Sequence, residues 1–202
     1  VVSFMCILKT CSSIGALHKG IQIHNEIFSK GLLEKDIELG NALVDMYVKC
    51  SQLERARKVF DELLVKDVVA WTALISGYTQ EGQGEEAVEC FELMLEKGQS
   101  PNEVTFLCVL TACSHSGLLD DAQIVFEDMT RKYGLTPSLE HQTCMVVVYG
   151  CAGHFGKVMS LIQTIPCSGC PSVWLALLGA CRKWGNVKIG RLAFDHVVQL
   201  DH

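Results

Sequence analysis

The chain has 202 residues, of which 49% are hydrophobic and 20% charged, so it can bury a core and is not a disordered chain. Its 17 Lys and Arg residues are outnumbered by 23 Asp and Glu residues, and the net charge of −6 argues against a generic polyanion binder. The longest apolar stretches are too short to span a bilayer, so no membrane partner is expected. The sequence opens Val1-Val2-Ser3 without Met, and it reads as a fragment from which any targeting signal has been removed.

An internal repeat is the main signal along the chain. Six glycine or small polar positions recur at separations of 31 to 36 residues. A large residue, most often Phe, follows each of them by nine positions, and Leu, Ile or Val precedes each by seven. The recurring positions are Gly15, Ser51, Gly82, Gly117, Gly153 and Gly185. A repeat of this length predicts a solenoid, in which each repeat packs on its neighbours.

Each repeat is predicted to contain two helices. In residues 68–102 an apolar stripe runs to Tyr78, a glycine-containing break follows, and a second stripe begins at Ala87 with glutamates on its opposite side. Gly98 and Pro101 mark the end of the second helix. We therefore predict an all-α fold, a right-handed superhelical α-solenoid of helix-turn-helix repeats. Its second helices should carry most of the negative charge, because eleven acids and one base lie between residues 81 and 128.

The eleven cysteines are odd in number and recur at equivalent repeat positions. Cys6 and Cys108 share one such position, while Cys11, Cys113 and Cys181 share another. Recurrence at equivalent helical sites predicts mostly buried, reduced thiols that pack as small hydrophobic residues, and therefore a reducing, intracellular compartment.

Residues 68–102 resemble a pentatricopeptide repeat, through the run from Val68 to Tyr78 and the ending Pro101-Asn102. The tetratricopeptide pattern is absent. The alternating repeat lengths resemble the plant PLS subclass, which cycles long, short and standard repeats before a C-terminal extension (E-type) motif. On this resemblance the chain comprises repeat 1 (1–36, long), repeat 2 (37–67, short), repeat 3 (68–102, standard), repeat 4 (103–138, long), repeat 5 (139–170, degenerate short) and a truncated extension motif (171–202).

The family binds single-stranded RNA at one base per repeat. By resemblance, the fifth residue of the first helix and the last residue of the repeat read the base edge, and the second residue clamps the base. Asn41 and Asp67 then favour uracil over cytosine, Thr72 and Asn102 favour adenine, and the adenine clamp is formed by Val69 and Val104. The alternative interpretation of the polar residues is that they cap helices.

The other reading positions are weaker. They are Met5 with Asp36, Leu107 with Ser138, and Thr143 with Cys170, where the family usually has an acid. Glu38 lies at a clamp position that is usually aromatic or aliphatic. The resemblance therefore implies only the short reading 5′-N-U-A-N-3′, with the amino end of the chain toward 5′.

One pair of motifs matches the letters of a zinc-dependent deaminase, namely His24-Asn25-Glu26 and the run Pro166 to Cys170. The two lie about 140 residues apart in different repeats, which contact only their neighbours, and His24 holds a packing position of the repeat. A lone Cys-x-x-C also supplies only two of the four ligands of structural zinc. We expect no metal, no cofactor and no catalytic residues, so the chain itself should not be an enzyme.

The resemblance implies sequence-specific binding of single-stranded organellar RNA, as the site-recognition part of a C-to-U editing factor of a plant mitochondrion or chloroplast. Implied further partners are an editing deaminase, following residue 202 or on a separate chain, and accessory editing proteins. The alternative is an α-solenoid scaffold for protein–protein interaction without RNA reading, which the net charge of −6 slightly favours.

Overall fold

A computed structural model describes residues 2–33, 36–165 and 171–200. These residues form twelve helices and contain no strand. The bounds are α1 (Val2–Ile14), α2 (Leu17–Ser29), α3 (Ile37–Lys49), α4 (Leu53–Glu62), α5 (Val68–Gln80), α6 (Gly84–Glu96), α7 (Glu103–Ser116), α8 (Leu119–Arg131), α9 (Leu139–Cys151), α10 (Phe155–Thr164), α11 (Pro171–Trp184) and α12 (Val187–Leu200).

The chain divides into two compact units, residues 1–108 and 109–202. In the first unit α1 packs on α2, α3 on α4, and α5 on α6, while the first helices α1, α3 and α5 pack on one another in turn. In the second unit α9 packs on α8, α10 and α11, and α11 packs on α12. The predicted fold class, an all-α solenoid of helical hairpins, is confirmed. The first helices α3, α5, α7 and α9 begin where repeats 2 to 5 were predicted to begin, and the assignment of repeat types to these segments remains a prediction.

The recurring glycine positions are the points at which the first helix of a hairpin ends. Gly82 has φ of +73°, and the backbone N–H of Gln83 donates to Tyr78 O at 2.9 Å, which closes the end of α5. Ser51 occupies the same place after α3 with φ of +54°, and among the described residues it is the only one other than glycine with positive φ. Glycine is favoured there because a Cβ is strained in this conformation.

The residues that recur before each turn form the core. Leu8, Val44 and Ile75 are fully buried in the first unit, and Phe60 and Phe91, which follow the turns, are 3% and 4% exposed. The Phe60 ring packs edge-on against Trp71 at 4.7 Å between centroids, and Phe91 packs in the same way against Phe106 at 5.6 Å. Burying side chains of this size contributes about 1.5–3 kcal/mol each, so the repeat register is held mainly by apolar packing.

The nine cysteines among the described residues are free thiols. Cys11, Cys90, Cys113 and Cys181 are buried, Cys6 is exposed and the rest are partly buried. Burial raises the pKa of the Cys90 thiol to about 12, with the Arg57 charge opposing the shift. Four of the nine described thiols are thus buried as predicted, four are only partly buried and one is exposed. None of the helices within the described residues combines the length and apolar character that crossing a membrane requires.

Two glycines of the second unit make a matched test of the packing of α9 on α11. A Cβ on Gly150 would lie 2.5 Å from the Ala180 Cβ, whereas one on Gly179 has no heavy atom within 4 Å. We expect Gly179→Ala to stabilise the protein by about 1 kcal/mol, since alanine is the better helix former. Gly150→Ala should instead destabilise it by about 1–3 kcal/mol, because the two helices must separate.

Urea unfolding of both variants measures these changes in stability. The double variant Gly150→Ala, Ala180→Gly should recover part of the loss by restoring room between the helices. Equal stabilisation by Gly150→Ala and Gly179→Ala would show that α9 and α11 do not approach this closely.

Candidate functional site

The last residue of each of repeats 1 to 4 lies directly before the first helix of the next hairpin. Asp36 accepts a hydrogen bond from Leu39 N at 3.0 Å, Asp67 accepts from two backbone N–H groups at 3.0 Å, and Asn102 accepts from Thr105 N at 2.9 Å. Ser138 forms a capping box with His141, in which the Ser138 backbone N–H donates to His141 Nδ1 at 3.2 Å and Ser138 Oγ lies 2.7 Å from the same nitrogen. The capping interpretation is therefore correct for Asp67 and Asn102, whose side chains satisfy backbone donors at helix starts, and Asp36 caps α3 in the same way. It is wrong for Asn41 and Thr72, which are the fifth residues of α3 and α5.

The structure brings Asn41 and Asp67 together. Asn41 lies in α3 and is 7% exposed, and its Nδ2 donates to both carboxylate oxygens of Asp67 at 3.0 Å. Because α4 returns the chain alongside α3, two residues 26 positions apart meet at one end of the hairpin. Asn41 Oδ1 is buried and has no hydrogen-bond partner among the described residues. An oriented amide and carboxylate, partly withdrawn from water, can make charge-assisted hydrogen bonds to a ligand.

The pair Thr72 and Asn102 is joined through a residue that the sequence analysis did not single out. Thr72 Oγ1 lies 2.6 Å from Thr105 Oγ1, and Thr105 Oγ1 donates to Asn102 Oδ1 at 3.0 Å. The backbone N–H of Asn102 also donates to Thr105 Oγ1, at 3.3 Å. Thr105 is fully buried in α7. Thr105 follows the capping residue Asn102 by three positions, and this spacing is a sequence signal that could have identified Thr105.

The two proposed clamp residues are exposed apolar side chains. Val69 is 53% exposed and Val104 58% exposed, each at the second position of its helix. Val69 lies three residues before Thr72 in α5, so the two share one face of the helix. At the equivalent place in α3 stands Glu38, which is exposed. A valine beside a polar pair provides a surface on which a flat, apolar ring could pack.

The weaker reading positions differ from these two pairs. Met5 and Leu107 are apolar and partly buried. Thr143 donates to the backbone oxygen of Leu139 in its own helix at 2.8 Å, so its hydroxyl proton is already used. Cys170, its predicted partner, lies outside the described residues.

His24 of the deaminase-like motif contacts Tyr47. Its Nδ1 lies 2.8 Å from the Tyr47 hydroxyl, and the two rings pack edge to face. Burial lowers the pKa of His24 below its ordinary value, with Glu62 raising it and Arg55 lowering it by smaller amounts. The run Pro166 to Cys170 lies outside the described residues. Within residues 2–33, 36–165 and 171–200, no three or more His, Cys, Asp or Glu side chains are grouped so that they could hold a metal.

The stacked hairpins place the chain among the helical-repeat proteins. A family model described as the PPR repeat family matches residues 66–115, and one described as the PPR repeat matches residues 41–68 and 104–133. The chain therefore contains pentatricopeptide repeats, as the sequence predicted.

Relatives support this assignment along nearly the whole chain. The pentatricopeptide repeat-containing protein At4g33990 of Arabidopsis thaliana is 40% identical over 98% of this chain and 24% of its own length. At4g16470 of the same plant is 42% identical over 98% of this chain and 40% of its own length. CRR2, a chloroplastic protein of that plant, is 40% identical over 99% of this chain and 30% of its own length. The chain spans between about a quarter and two fifths of these relatives.

Solved structures share the fold. The pentatricopeptide repeat protein PPR10, in complex with an 18-nucleotide psaJ RNA element, matches 98% of this chain and 29% of its own with a TM-score of 0.78 at 17% identity. The PPR domain of Arabidopsis thaliana protein-only RNase P 1, in complex with tRNA, matches 77% of this chain and 83% of its own with a TM-score of 0.61 at 18% identity.

The environment of His24 makes stability depend on pH. Its pKa is lower in the folded chain than in the unfolded chain, where it is about 6.5. The neutral ring therefore stabilises the fold above about pH 6.5, and this contribution is lost as the pH falls through the folded pKa. The test is His24→Phe, which introduces the residue type found at the equivalent positions Phe60 and Phe91. Between pH 7.5 and 5.5 we expect the urea midpoint of this variant to fall less than that of the unchanged chain.

The matched control for this measurement is Asn25→Gln, which changes an exposed residue of the same helix that does not titrate. Its pH dependence should equal that of the unchanged protein. If His24→Phe also keeps the full pH dependence, His24 is not responsible for it.

Proposed function

We propose that this chain binds single-stranded RNA and that Asn41 with Asp67 and Thr72 with Asn102 read two consecutive bases. The observation that carries the proposal is the recurrence of two preorganised polar pairs at the same place in successive hairpins, one across α3 and the start of α5, the other across α5 and the start of α7. PPR10 and protein-only RNase P 1, which share the fold, form complexes with RNA. A repeat that presents one polar pair per hairpin suits reading of one base per hairpin.

The chemistry of each pair supports a definite base. Asn102 is an exposed residue and its amide Nδ2 has no partner among the described residues, so it can donate to N1 of adenine. At the other site Asn41 Oδ1 is buried, so the donor is the Asn41 Nδ2 amide and the acceptors are the Asp67 carboxylate oxygens, a combination that suits the mixed edge of uracil. Each discriminating contact should contribute about 1–3 kcal/mol, as base-edge contacts do in DNA. The reading is 5′-N-U-A-N-3′.

The distribution of charge is compatible with this role. Helix α5, which carries Thr72 and Val69, contains no charged residue, and the one base of α3 pairs with Asp45, 2.9 Å from Lys49. Five of the six acids of repeat 3 lie instead on α6, where Glu85, Glu86, Glu89, Glu92 and Glu96 are exposed, and the sixth, Glu81, follows the end of α5. The net charge of −6 therefore does not place anionic groups on α5.

The finer assignments belong to the same proposal. The repeat types and boundaries correspond to the PLS subclass with an extension motif, and the biological role is recognition of a C-to-U editing site. Location in a chloroplast or mitochondrion is supported by relatives named chloroplastic. An editing deaminase and accessory editing proteins are the proposed protein partners. The chain itself carries no proposed catalytic residue.

Two substitutions test base reading. Asn102→Asp replaces the amide donor with an acceptor, which matches the N1–H and N2–H donors of guanine, so preference at the third position should move from adenine to guanine by about tenfold. Asn41→Thr should move preference at the second position from uracil toward guanine. Fluorescence anisotropy with 12-nucleotide RNAs that differ at one base, at low ionic strength and micromolar protein, measures both.

Asn25→Asp is the matched control, since it makes the same chemical change at an exposed asparagine of α2. It should weaken binding to all RNAs slightly and alter no base preference. Unchanged preference in both Asn41→Thr and Asn102→Asp would refute base reading by these pairs.

A protein scaffold is the second candidate, favoured by one cavity of the first compact unit. This cavity, of about 310 Å³, lies between α4, α5 and α6. Its apolar lining includes Phe60, Trp71 and Leu93, and Arg57 is its one basic lining residue. Its acidic lining residues, none of which makes a salt bridge within the described residues, are Asp61, Glu86, Glu89, Glu92 and Glu96. An apolar floor with an anionic rim suits a basic amphipathic peptide.

A synthetic helix with leucine on one face and arginine on the other tests the scaffold role. If the cavity binds it, Glu89→Gln with Glu96→Gln should weaken binding at least about fivefold, because two charge pairs are lost. Glu85→Gln, on the same helix but outside the cavity lining, should have little effect. RNA base preference should be the same in all three proteins.

A further inference from the structure

The Thr105 hydroxyl lies between the two groups proposed to read adenine. It is 2.6 Å from Thr72 Oγ1 and 3.0 Å from Asn102 Oδ1, and Thr105 has no exposed surface. Thr72 and Asn102 make no direct hydrogen bond with each other; Thr105, on the next helix, connects them. The pair therefore depends on a third residue that does not itself face a ligand.

The hydrogens of this network can be assigned from donor and acceptor capacity. Asn102 Oδ1 can only accept, so the Thr105 hydroxyl donates its single proton to it. The remaining hydrogen bond, between Thr72 and Thr105, must then use the proton of Thr72. Thr72 Oγ1 is left with lone pairs and no proton for a ligand, and Asn102 is left with its Nδ2 donors.

The Asn41–Asp67 site has no such intervening hydroxyl. Ala70 takes the place of Thr105 there, and Asn41 donates directly to Asp67 at 3.0 Å. The longer Asn side chain reaches across the hairpin without help, whereas the shorter Thr72 meets Asn102 through the intervening hydroxyl. The intervening hydroxyl of Thr105 is thus found at the site whose proposed reading residue, Thr72, has the shorter side chain.

We propose that Thr105 is a positioning residue that sets the hydrogen-bond polarity of the third base site, with Thr72 as acceptor and Asn102 as donor. The inference rests on the proposed RNA reading and deepens it. Adenine presents a donor at N6 beside an acceptor at N1, which fits this polarity, and cytosine presents the same order at N4 and N3. Guanine and uracil present the opposite order, which places acceptor against acceptor and donor against donor. Thr105 thus separates adenine and cytosine from guanine and uracil.

Thr105→Val is the direct test, because it keeps the shape and removes the hydroxyl. The Thr72 proton becomes free to turn toward a base, so the ratio of adenine to guanine binding should fall about threefold to tenfold. The ratio of adenine to cytosine should change less than twofold, since polarity does not separate these bases. Thr105→Ser keeps the hydroxyl and should retain both ratios. The measurement uses the whole 202-residue chain and four 12-nucleotide RNAs that differ at the third reading position.

A double-mutant cycle shows whether Thr105 acts through Thr72. Thr72→Val alone should lower the adenine-to-guanine ratio, and adding Thr105→Val should lower it little further, since one network is lost once. Thr105→Ala is a second variant for the case in which valine prevents folding, and alanine already occupies the equivalent place at Ala70. Circular dichroism and thermal unfolding establish that each variant is folded.

The outcomes separate the inference from the proposal beneath it. If the unchanged chain has no base preference at the third position, base reading itself fails. The unchanged chain could instead prefer adenine while a folded Thr105→Val or Thr105→Ala variant keeps the same adenine-to-guanine ratio. That result would leave base reading intact and refute the proposed role of Thr105. A uniform loss of affinity for all four bases would likewise overturn it, because that is the signature of a structural role alone.

Discussion

The candidate site depends on the closure of each helical hairpin. A second helix must return the chain alongside the first so that both bury their apolar stripes, and this return places the last residue of a repeat beside the fifth residue of its first helix. Asn41 and Asp67 meet for this reason, although 26 residues separate them. The buried contacts of Phe60 with Trp71 and of Phe91 with Phe106 hold this arrangement in place. Apolar packing thus determines where the polar pairs lie.

In Asn102, capping and the proposed base reading use different atoms of one side chain, so the two interpretations are compatible for this residue. Asn102 Oδ1 accepts from Thr105 while its Nδ2 remains without a partner among the described residues. Asp67 Oδ1 accepts from the start of α5, and both of its oxygens accept from Asn41. The capping bond removes rotational freedom from the side chain before any ligand arrives. A ligand that contacts such a side chain loses less conformational entropy on binding.

The proposed function and the proposed role of Thr105 differ in what they require of the hairpin. Reading of a base by a pair needs only that two side chains lie together. A fixed hydrogen-bond polarity at the site needs in addition a third group that accepts the hydroxyl proton of one of them. The Asn41 site meets the first requirement alone, and the Thr72 site meets both. Helix α5 itself is uncharged, and the glutamates of α6 lie on the second helix of the same hairpin.

The repeat length, the helix pairs and the turn positions were predictable from the sequence, because each depends on local chemistry that recurs at a fixed spacing. The reading pairs were expected only from the family resemblance, and base reading by them remains a proposal. Gly82 and Ser51 end helices, and Asp67 and Asn102 begin them, through interactions with residues only a few positions away. Thr105 could not be connected to Thr72 in this way, since the two lie 33 residues apart on helices whose approach is set by packing. The proposed direction of the Thr72 proton depends on tertiary structure alone, because a hydroxyl donates toward whichever acceptor the fold brings within reach.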